Sequence, residues 1–561
     1  MPGLVVSLAL VALLSFAGIA AAQTDPVAEA RGAIAAGDYA RAASLLSATI
    51  GRQPSADAYM YLGIALAHTR EWKRAEDTFL EGAGRYPQDP RFHNELAGVY
   101  IQANDLERAR ESLNRALAID PQNKYALDLR ATIDMTTGDV RAALDGWNED
   151  GHPIVGDILH NSHVEFENWV VGKALAFKTD DVLKYSQWRT TESRLRGTEI
   201  FATVNLDIEP TVQPDRYTAV VRTAPKTNST QQLAIPLLEA AIFEHPSVHW
   251  WNVGNSALTL DASYRFATNR HRAATGVRVP VPLPGLVFVE TEGIFRSERW
   301  DISRPAKDTG FDSRFLFQST GFRAEFKHIP HYRVELGAGF EYRNRTVHGS
   351  QPDLVLDSRN SGKLLFEATF LPADEQYRSR VHAEAFLARK AFPGDLDYTG
   401  GTVEWNNRYT FEGRREVGVE VTLKGGASGG NLPIDDYFVI GLDENPSNLL
   451  RGHNSVSSRG HFGHAPMGTG FVLVNTTVDR RMARVPFFNV LNVPFLDFKW
   501  QVFVDSAKTF DRSRVFDQSK ILVDVGAGFR VESATRAFNF IYGRSLRDGT
   551  GTFTAYVQQR W

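Results

Sequence analysis

The histidines are the first residues of this sequence whose types and spacing could do chemistry, because imidazole nitrogens are common zinc ligands. They form two groups: His152, His160 and His163, and His453, His461 and His464. The chain has no cysteine, and no well-placed carboxylate completes a ligand set beside either group. We therefore predict no metal site and no cofactor.

A glycine-rich stretch, GGASGGN at residues 425–431, is the next candidate for chemistry. A phosphate-binding loop lies between a strand and a helix, and no helical pattern follows this one. We predict a flexible hairpin loop here. No nucleophile stands at a plausible spacing from a base, so the sequence predicts no catalytic residue and no enzyme.

The elements that must position any functional residue in the C-terminal part are strands. Across residues 521–532 apolar and polar side chains alternate, with Ile521, Val523 and Val525 on one face and Asp524 on the other. The same alternation recurs at residues 332–347, 414–424, 468–481, 496–506 and 551–561. No helix pattern that could cover the apolar face interrupts them, so lipid is its best partner. We predict a transmembrane β-barrel of about sixteen antiparallel strands over residues 232–561.

Composition and the N-terminus indicate the compartment. The formal net charge of −4 makes nucleic acid an unlikely partner. Residues 4–19 are apolar and end at Ala20-Ala21-Ala22, which predicts a secretory signal peptide over residues 1–22. Export combined with a barrel predicts the outer membrane of a Gram-negative-type bacterium, with the N-terminal domains in the periplasm.

Residues 23–150 repeat with a period of about 34 residues, which is the tetratricopeptide period. The same residue types recur 34 positions apart in the two best copies. These are Leu62, Ala75, Phe79 and Pro87 in the first copy and Leu96, Ala109, Leu113 and Pro121 in the next. This pattern is similar to a tetratricopeptide array of three to four repeats. Such arrays usually bind a protein or peptide in their concave groove. A spacer or a dimer surface is the alternative.

Residues 154–228 have a different pattern and resemble a POTRA domain, a small α+β module. We predict a strand at residues 163–169, a helix that Thr179 caps and that runs toward Leu195, and strands at residues 201–209 and 216–223. The resemblance implies that the module handles unfolded client strands by edge pairing.

The long loop near residue 450 carries a second resemblance. Phe438-Val439-Ile440-Gly441 and Leu450-Arg451-Gly452-His453 resemble the inward-folded loop motif of the BamA/TamA superfamily of outer-membrane barrels, with His453 where that family has an aromatic residue. Asp479 and Arg481 match its acidic-x-Arg strand, while FVDSAKTF and VGAGFRVE resemble its last strands. The likeness covers residues 154–561 and is strongest in the last quarter.

This resemblance implies that the loop folds into the barrel. The period of two places Asp479, Arg481 and Asp505 on the inner face if Val478, Val502 and Val504 face lipid. We therefore predict a loop lock in which Arg451 and Gly452 approach these residues and Arg451 pairs with Asp505, with Asp479 as a second partner. The alternative is a solvated loop arginine.

The resemblance also implies the function. We expect a barrel that assists insertion, assembly or translocation of unfolded outer-membrane or secreted client proteins, with a gate between a first strand near 232–243 and a last strand at 551–561. The periplasmic repeats would recruit a protein or peptide partner. Phe553, Val557 and Trp561 form the predicted C-terminal insertion signal. The alternatives are a two-partner-type secretion pore, or a passive pore or receptor with a periplasmic docking module.

Overall fold

A computed structural model describes residues 25–559 except for a set of short segments. These are residues 162–164, 214, 227, 229–236, 238–239, 242–245, 268–269, 304–311, 350–357, 373–376, 412, 414–415, 442–449, 454–465, 487–494, 512–519, 533–535, 548 and 550. The chain divides into two compact units, one holding residues up to Val155 with 180–185 and 212–216, the other holding the rest. No described helix has the length and apolar character needed to span a membrane.

The first unit is built from eight helices that pack in antiparallel pairs. They are α1 (Pro26–Ala35), α2 (Tyr39–Ile50), α3 (Ala56–His68), α4 (Trp72–Arg85), α5 (Arg91–Gln102), α6 (Leu106–Ile119), α7 (Lys124–Thr137) and α8 (Val140–Asn148). Most begin at a side chain that accepts a hydrogen bond from a free backbone N–H, as Ser55 does for α3 and Asp105 for α6. The small residues of the repeat allow the paired helices to pack closely. A Cβ atom at Gly63 of α3 would lie 2.3 Å from the Phe79 ring of α4.

The segment after the repeats forms a small sheet with two helices. Strands β1 (Ile154–Asn161), β2 (Phe201–Pro210) and β3 (Arg216–Pro225) pair in the order β1-β3-β2, and the helices are α9 (Glu165–Ala174) and α10 (Tyr185–Gly197). The predictions for β2 and β3 are confirmed. The strand predicted at 163–169 is wrong, because α9 occupies most of it and the strand precedes it. The helix does not begin at Thr179 either, since residues 179–180 form a turn, Val182 forms an isolated bridge with Ile154 and α10 starts at Tyr185.

Fifteen strands form the main sheet of the second unit, and each pairs antiparallel with its neighbours. They are β4 (Ser247–Trp250), β5 (Thr259–Ala267), β6 (Arg270–Val281), β7 (Val287–Ser303), β8 (Asp312–His331), β9 (Val334–His348), β10 (Ser361–Phe370), β11 (Tyr377–Ala388), β12 (Tyr398–Phe411), β13 (Val417–Gly430), β16 (Gly470–Pro486), β17 (Phe495–Phe510), β18 (Leu522–Glu532), β19 (Arg536–Ser545) and β20 (Gly551–Gln559). The short strands β14 (Phe438–Val439) and β15 (Met467–Gly468) pair with each other inside the long loop. Within the described ranges, the edge strands β4 and β20 are not paired with each other.

The predicted first barrel strand near 232–243 is not found. Leu237, Ala240 and Ala241, which are the described residues there, are helical. The sequence explains this, because Leu237, Leu238, Ala241 and Ile242 recur at helical spacing among good helix formers. Residues 232–255 therefore contribute one described strand, β4, where two were predicted.

The two faces of the main sheet differ in chemistry. Val502 and Val504 of β17 are exposed, whereas Lys499, Gln501 and Asp505 are buried on the other face, here called the inner face. Large exposed apolar residues recur on the outward face of many strands, including Phe295, Phe322, Phe366, Trp405 and Phe529. An apolar outside with a polar inside is the pattern of a transmembrane barrel.

The small sheet domain and the main sheet contact each other within the second unit. Arg194 of α10 donates to the carbonyl of Ile329 near the end of β8 at 2.9 Å. The backbone N–H of Tyr332, in the turn between β8 and β9, donates to Thr190 Oγ1 of α10 at 3.0 Å. Arg278 of β6 donates to the carbonyl of Gly197 at 2.6 Å. Leu195 and Ile200 share one buried apolar cluster with Phe288 and Ile329. The module is thus packed against the turn end of the sheet.

Candidate functional site: the long loop between β13 and β16

Arg451 is the centre of the site, and its side chain is only 6% exposed. Its Nη2 donates to Asp505 Oδ1 at 2.6 Å and its Nε to Asp505 Oδ2 at 2.8 Å. The backbone N–H of Arg451 also donates to Asp505 Oδ2, and Nη1 donates to Thr477 Oγ1 at 3.0 Å. Two parallel bonds between a guanidinium and a carboxylate fix orientation as well as distance. The structure therefore brings together the predicted pair Arg451 and Asp505.

Other contacts hold the same guanidinium. It lies over the Phe503 ring with 3.8 Å between Cζ and the ring centroid, which adds a cation–π interaction. Asn475, directly opposite Asp505 on β16, donates to Asp505 Oδ1 at 2.7 Å. Both oxygens of the carboxylate are thus engaged, and the charge pair is compensated although it is buried.

The next two loop residues contact a carboxylate that the sequence analysis did not assign. The Gly452 N–H donates to Asp524 Oδ2 at 2.6 Å, and His453 Nδ1 lies 2.8 Å from Asp524 Oδ1. Asp524 stands directly opposite Asp505 on β18. The sequence held two indications of this contact. Alternation along β18 places Asp524 on the inner face, and His453 is a polar residue at a position where an aromatic residue was expected.

Asp479 and Arg481 lie on β16 as predicted, but they do not contact Arg451 among the described residues. Asp479 accepts from Arg408 Nη2 at 3.0 Å and lies 3.4 Å from Lys499 Nζ, while Arg481 Nη1 donates to Glu416 Oε2 at 2.9 Å. The pairing of Arg451 with Asp479 is therefore wrong. The face of the strand on which Asp479 lies was predicted correctly, but its position along the strand was not. Asp479 is four residues beyond Asn475, about 13 Å along β16 from the residue that contacts Asp505.

Two glycines permit the close approach of the loop tip to the sheet. A Cβ atom at Gly543 of β19 would lie 2.3 Å from the Arg451 carbonyl oxygen, and one at Gly452 would lie 2.7 Å from Asp524 Cγ. Contacts this short do not occur in folded proteins, so either side chain would displace the tip. Gly452 was predicted as part of the site, whereas Gly543 was not.

The base of the loop has a second set of charged contacts. A 3₁₀ turn at Ile434–Asp436 directs two carboxylates at the inner face of strands β9, β10 and β12. Asp435 accepts from Arg343 at 3.0 Å and from Arg345 at 2.7 Å, and Asp436 accepts from Tyr398 at 2.6 Å. Lys363 Nζ lies 3.2 Å from Asp436 Oδ1. The side chains of Asp435 and Arg345 are completely buried.

Apolar packing joins both parts of the loop to the sheet. At the base, Ile434 and Met467 form a buried cluster with Trp300, Phe315 and Phe317 of β7 and β8. Near the tip, Ile440 and Leu450 are buried with Phe471, Leu473, Ala507 and Leu522. The described parts of the loop are thus fastened at two places, to β7–β12 at the base and to β16–β19 at the tip.

This arrangement holds the described parts of the loop against the inner face. Across the described ranges, no three side chains of His, Cys, Asp or Glu are placed to share a metal ion. His163, His461 and His464 lie outside the described residues, and His160 contacts Thr223 at 3.0 Å. Of the predicted C-terminal signal, Phe553 is an exposed residue of β20, whereas Trp561 and the side chain of Val557 lie outside the described residues.

Comparisons with known proteins identify the repeats and the barrel fold. Family models described as tetratricopeptide repeat match residues 27–90 and 80–133. Residues 27–133 are therefore tetratricopeptide repeats, as predicted from their period. No curated protein matches the chain.

Several solved structures resemble the chain at low sequence identity. CdiB from Escherichia coli is 11% identical, with 72% of this chain and 76% of that chain covered and a TM-score of 0.52. CdiB from Acinetobacter baumannii is 10% identical, with 82% and 86% covered and a TM-score of 0.49. BamA from Haemophilus ducreyi, lacking POTRA domains 1–3, is 12% identical, with 72% and 84% covered and a TM-score of 0.43. The first likeness extends to the fold alone, and it confirms the predicted fold class of helical repeats followed by an antiparallel β-barrel.

Proposed function

We propose that this chain is an outer-membrane barrel that assists the insertion, assembly or translocation of client proteins. The observation that carries the proposal is the long loop fastened to the inner face through Arg451 and Asp505. A loop held at two places by buried charge pairs occupies the interior, where it would obstruct the passive diffusion of solutes. It suits a barrel whose loop positions the strands around a moving client.

The proposal assigns a role to each part of the chain. Residues 1–22 are a signal peptide, 23–150 a periplasmic repeat module that docks a protein or peptide, 154–228 a POTRA-like module and 232–561 the membrane barrel. The packing of α10 against the β8–β9 turn supports transfer of a client from the POTRA-like module to the barrel rim. Strands β4 and β20 are the two edge strands of the described sheet, and the seam between them is where a client strand could pair.

A depletion experiment in the bacterium that carries the gene tests this function. The chain is depleted, and outer-membrane and secreted proteins are quantified by mass spectrometry. Cells are then complemented with the native chain, with Arg451→Ala, or with the control Arg484→Ala, which removes an exposed arginine paired with Asp497 on the same sheet. We expect several outer-membrane or secreted proteins to fall and to recover with the native chain and the control only.

Other outcomes separate the alternatives. Loss of one secreted protein with normal outer-membrane composition would identify a two-partner-type secretion pore. If depletion changes neither set of proteins, the chain is a passive pore or receptor and the proposed function is wrong. Equal recovery with Arg451→Ala and the native chain would remove the loop from the mechanism.

A further inference from the structure

A groove across the tetratricopeptide helices carries a carboxylate that no described residue satisfies. Helices α3, α5 and α7 are the first helices of successive repeats, and residues 34 positions apart are equivalent in them. Tyr61, Glu95 and Leu129 are one such set, and they share a face that is at least partly open to solvent. We call Tyr61, His68, Glu95 and Tyr125 the groove patch.

The electrostatics show that the groove patch spans neighbouring helices. Burial raises the pKa of Tyr125 on α7 and the charge of Glu95 raises it further, while the charge of His68 on α3 acts to lower the pKa of the Glu95 carboxyl. Tyr125 is 57% exposed. His68 stacks on Tyr39 with 4.2 Å between ring centroids, which continues the aromatic surface toward α2. Three consecutive first helices thus face one groove with aromatic rings around one acid.

Glu95 is incompletely compensated in this position. Burial is the main cause that raises the pKa of its carboxyl, and it makes no hydrogen bond or ion pair with any described residue. Other charged groups nearby are already paired, as Arg91 is with Asp57 at 3.0 Å. A carboxylate partly withdrawn from water without a partner is unfavourable, and a cation that arrives with a ligand removes that penalty.

The chemistry of the groove patch selects the ligand. A single carboxylate provides too few oxygen ligands for a calcium ion, and an acidic or phosphate-bearing ligand would be repelled. Arg31 already lies over the Tyr61 ring, with 5.1 Å between its Cζ and the ring centroid. A lysine or arginine side chain of the ligand can therefore pair with Glu95 while its charge lies against the face of Tyr125. Tetratricopeptide helices form a continuous concave surface along which an extended segment can lie.

We propose that the groove across α3, α5 and α7 binds an extended peptide segment and seats one of its lysine or arginine side chains against Glu95. This inference rests on the docking role proposed for the repeats and names its partner: a protein segment with a basic residue. The basic residue provides specificity, while the aromatic rings of the groove patch provide contact area.

Selection with a peptide library tests the proposal directly. The full chain in detergent micelles is used to select from a phage-displayed library of random linear peptides, and selected sequences are resynthesised with a fluorescent label. We expect lysine or arginine to be enriched at one position, and Glu95→Gln to weaken binding of these peptides about tenfold or more. Glu95→Lys should select peptides with aspartate or glutamate at that position.

The matched control is Glu107→Gln, which neutralises an exposed glutamate of α6 outside the groove patch, paired with Arg110. Circular dichroism of every variant checks that the helices are intact. Selected peptides without a basic preference, or with unchanged binding to Glu95→Gln, would overturn the proposal. The depletion experiment is separate: basic-peptide binding combined with unchanged client levels would sink the proposed function and leave this inference standing.

Discussion

Arg451 and Asp505 each leave a buried charge behind when the other is removed. The guanidinium makes bonds to both carboxylate oxygens, to Thr477 and to the Phe503 ring, and almost no water reaches it. Loss of one member of a fully buried pair typically costs about 3 to 5 kcal/mol. We expect this cost to displace the loop tip and not the strands, because the strands keep their own backbone hydrogen bonds.

Arg451→Ala should therefore release the loop tip while the barrel still inserts. The chain is free of cysteine, so Leu450→Cys provides a single reporter at a completely buried position beside the tip. We expect a membrane-impermeant maleimide to react slowly with the reporter alone and much faster when Arg451→Ala is added. Arg484→Ala in the same background is the control. Equal labelling rates in all three chains would mean that the arginine does not hold the loop.

Gly543→Ala tests the same contact from the sheet side. The new methyl group would lie 2.3 Å from the Arg451 carbonyl oxygen, so the tip must move away. Gly425→Ala is the matched control, since its methyl group would meet nothing closer than 3.6 Å. Labelling of Leu450→Cys should rise with Gly543→Ala and stay unchanged with Gly425→Ala. If both variants label alike, the close packing of tip and β19 is not needed.

Glu95→Gln should stabilise the repeats at neutral pH. Burial raises the pKa of the folded-state carboxyl above its unfolded value of about 4.3, so the fold disfavours the charged form. Relative to the neutral variant, the native chain is therefore equally stable below the unfolded pKa and loses stability as pH rises through the folded pKa. Thermal melts of the helical circular dichroism signal at pH 7 and pH 4 measure this. A lower melting temperature for Glu95→Gln at pH 7 would contradict it.

The loop is the element that joins separate parts of the main sheet. Its base turn pairs with β9, β10 and β12, and its tip pairs with β16, β17 and β18. Because the two anchors contact different strands, each can be released separately. Under the proposed function, this separation lets one end of the loop move while a client passes and the other end keeps its register.

Asp435→Asn should loosen the base and leave the tip in place. The substitution removes one of the charges that compensate Arg343 and Arg345, of which Arg345 is fully buried. We expect Ile434→Cys, buried at the base, to label faster with Asp435→Asn, whereas Leu450→Cys keeps its slow rate. Release of both reporters together would show that the loop moves as one piece.

Alternation in the sequence was sufficient to predict the face of the sheet on which a side chain lies, but not its position along the strand relative to the loop. Asp479 and Asp505 are both on the inner face as predicted, because a strand has a period of two whatever its neighbours are. Which carboxylate meets Arg451 depends on the register between β16 and β17 and on the course of the loop, and neither is encoded locally. The same limit explains the omission of Asp524.

Helix and strand were confused where apolar runs were short. Residues 165–169 of the strand predicted at 163–169 belong to α9, and the residues described between 237 and 241 are helical. Short apolar runs fit either period until tertiary packing selects one. The tetratricopeptide region was predicted more reliably because its signal is repeated across residues 27–133.

At the scale of the whole molecule, the sheet depends on its last strand. Strand β20 pairs with β19 over residues 551–559, and Tyr556 is buried with Phe503 and Ile541 beside the loop tip. Removing β20 would expose the hydrogen-bonding groups of β19 to lipid, where each unsatisfied group costs several kcal/mol. The same deletion would also remove one wall of the site that holds Arg451, since Phe503 lies beneath its guanidinium.

Deletion of residues 552–561 should therefore prevent stable accumulation in the outer membrane. Folded barrel is measured by heat-modifiable migration in gels of outer-membrane fractions, and total chain by immunoblot. The matched control is Phe553→Ala, which keeps every backbone hydrogen bond of β20 and removes one exposed apolar side chain, so it should lower accumulation only partly. The contrast separates the two roles of the strand, because a pure recognition signal would fail equally in both variants. Normal surface assembly of the deleted chain would show that β20 neither completes the sheet nor directs insertion.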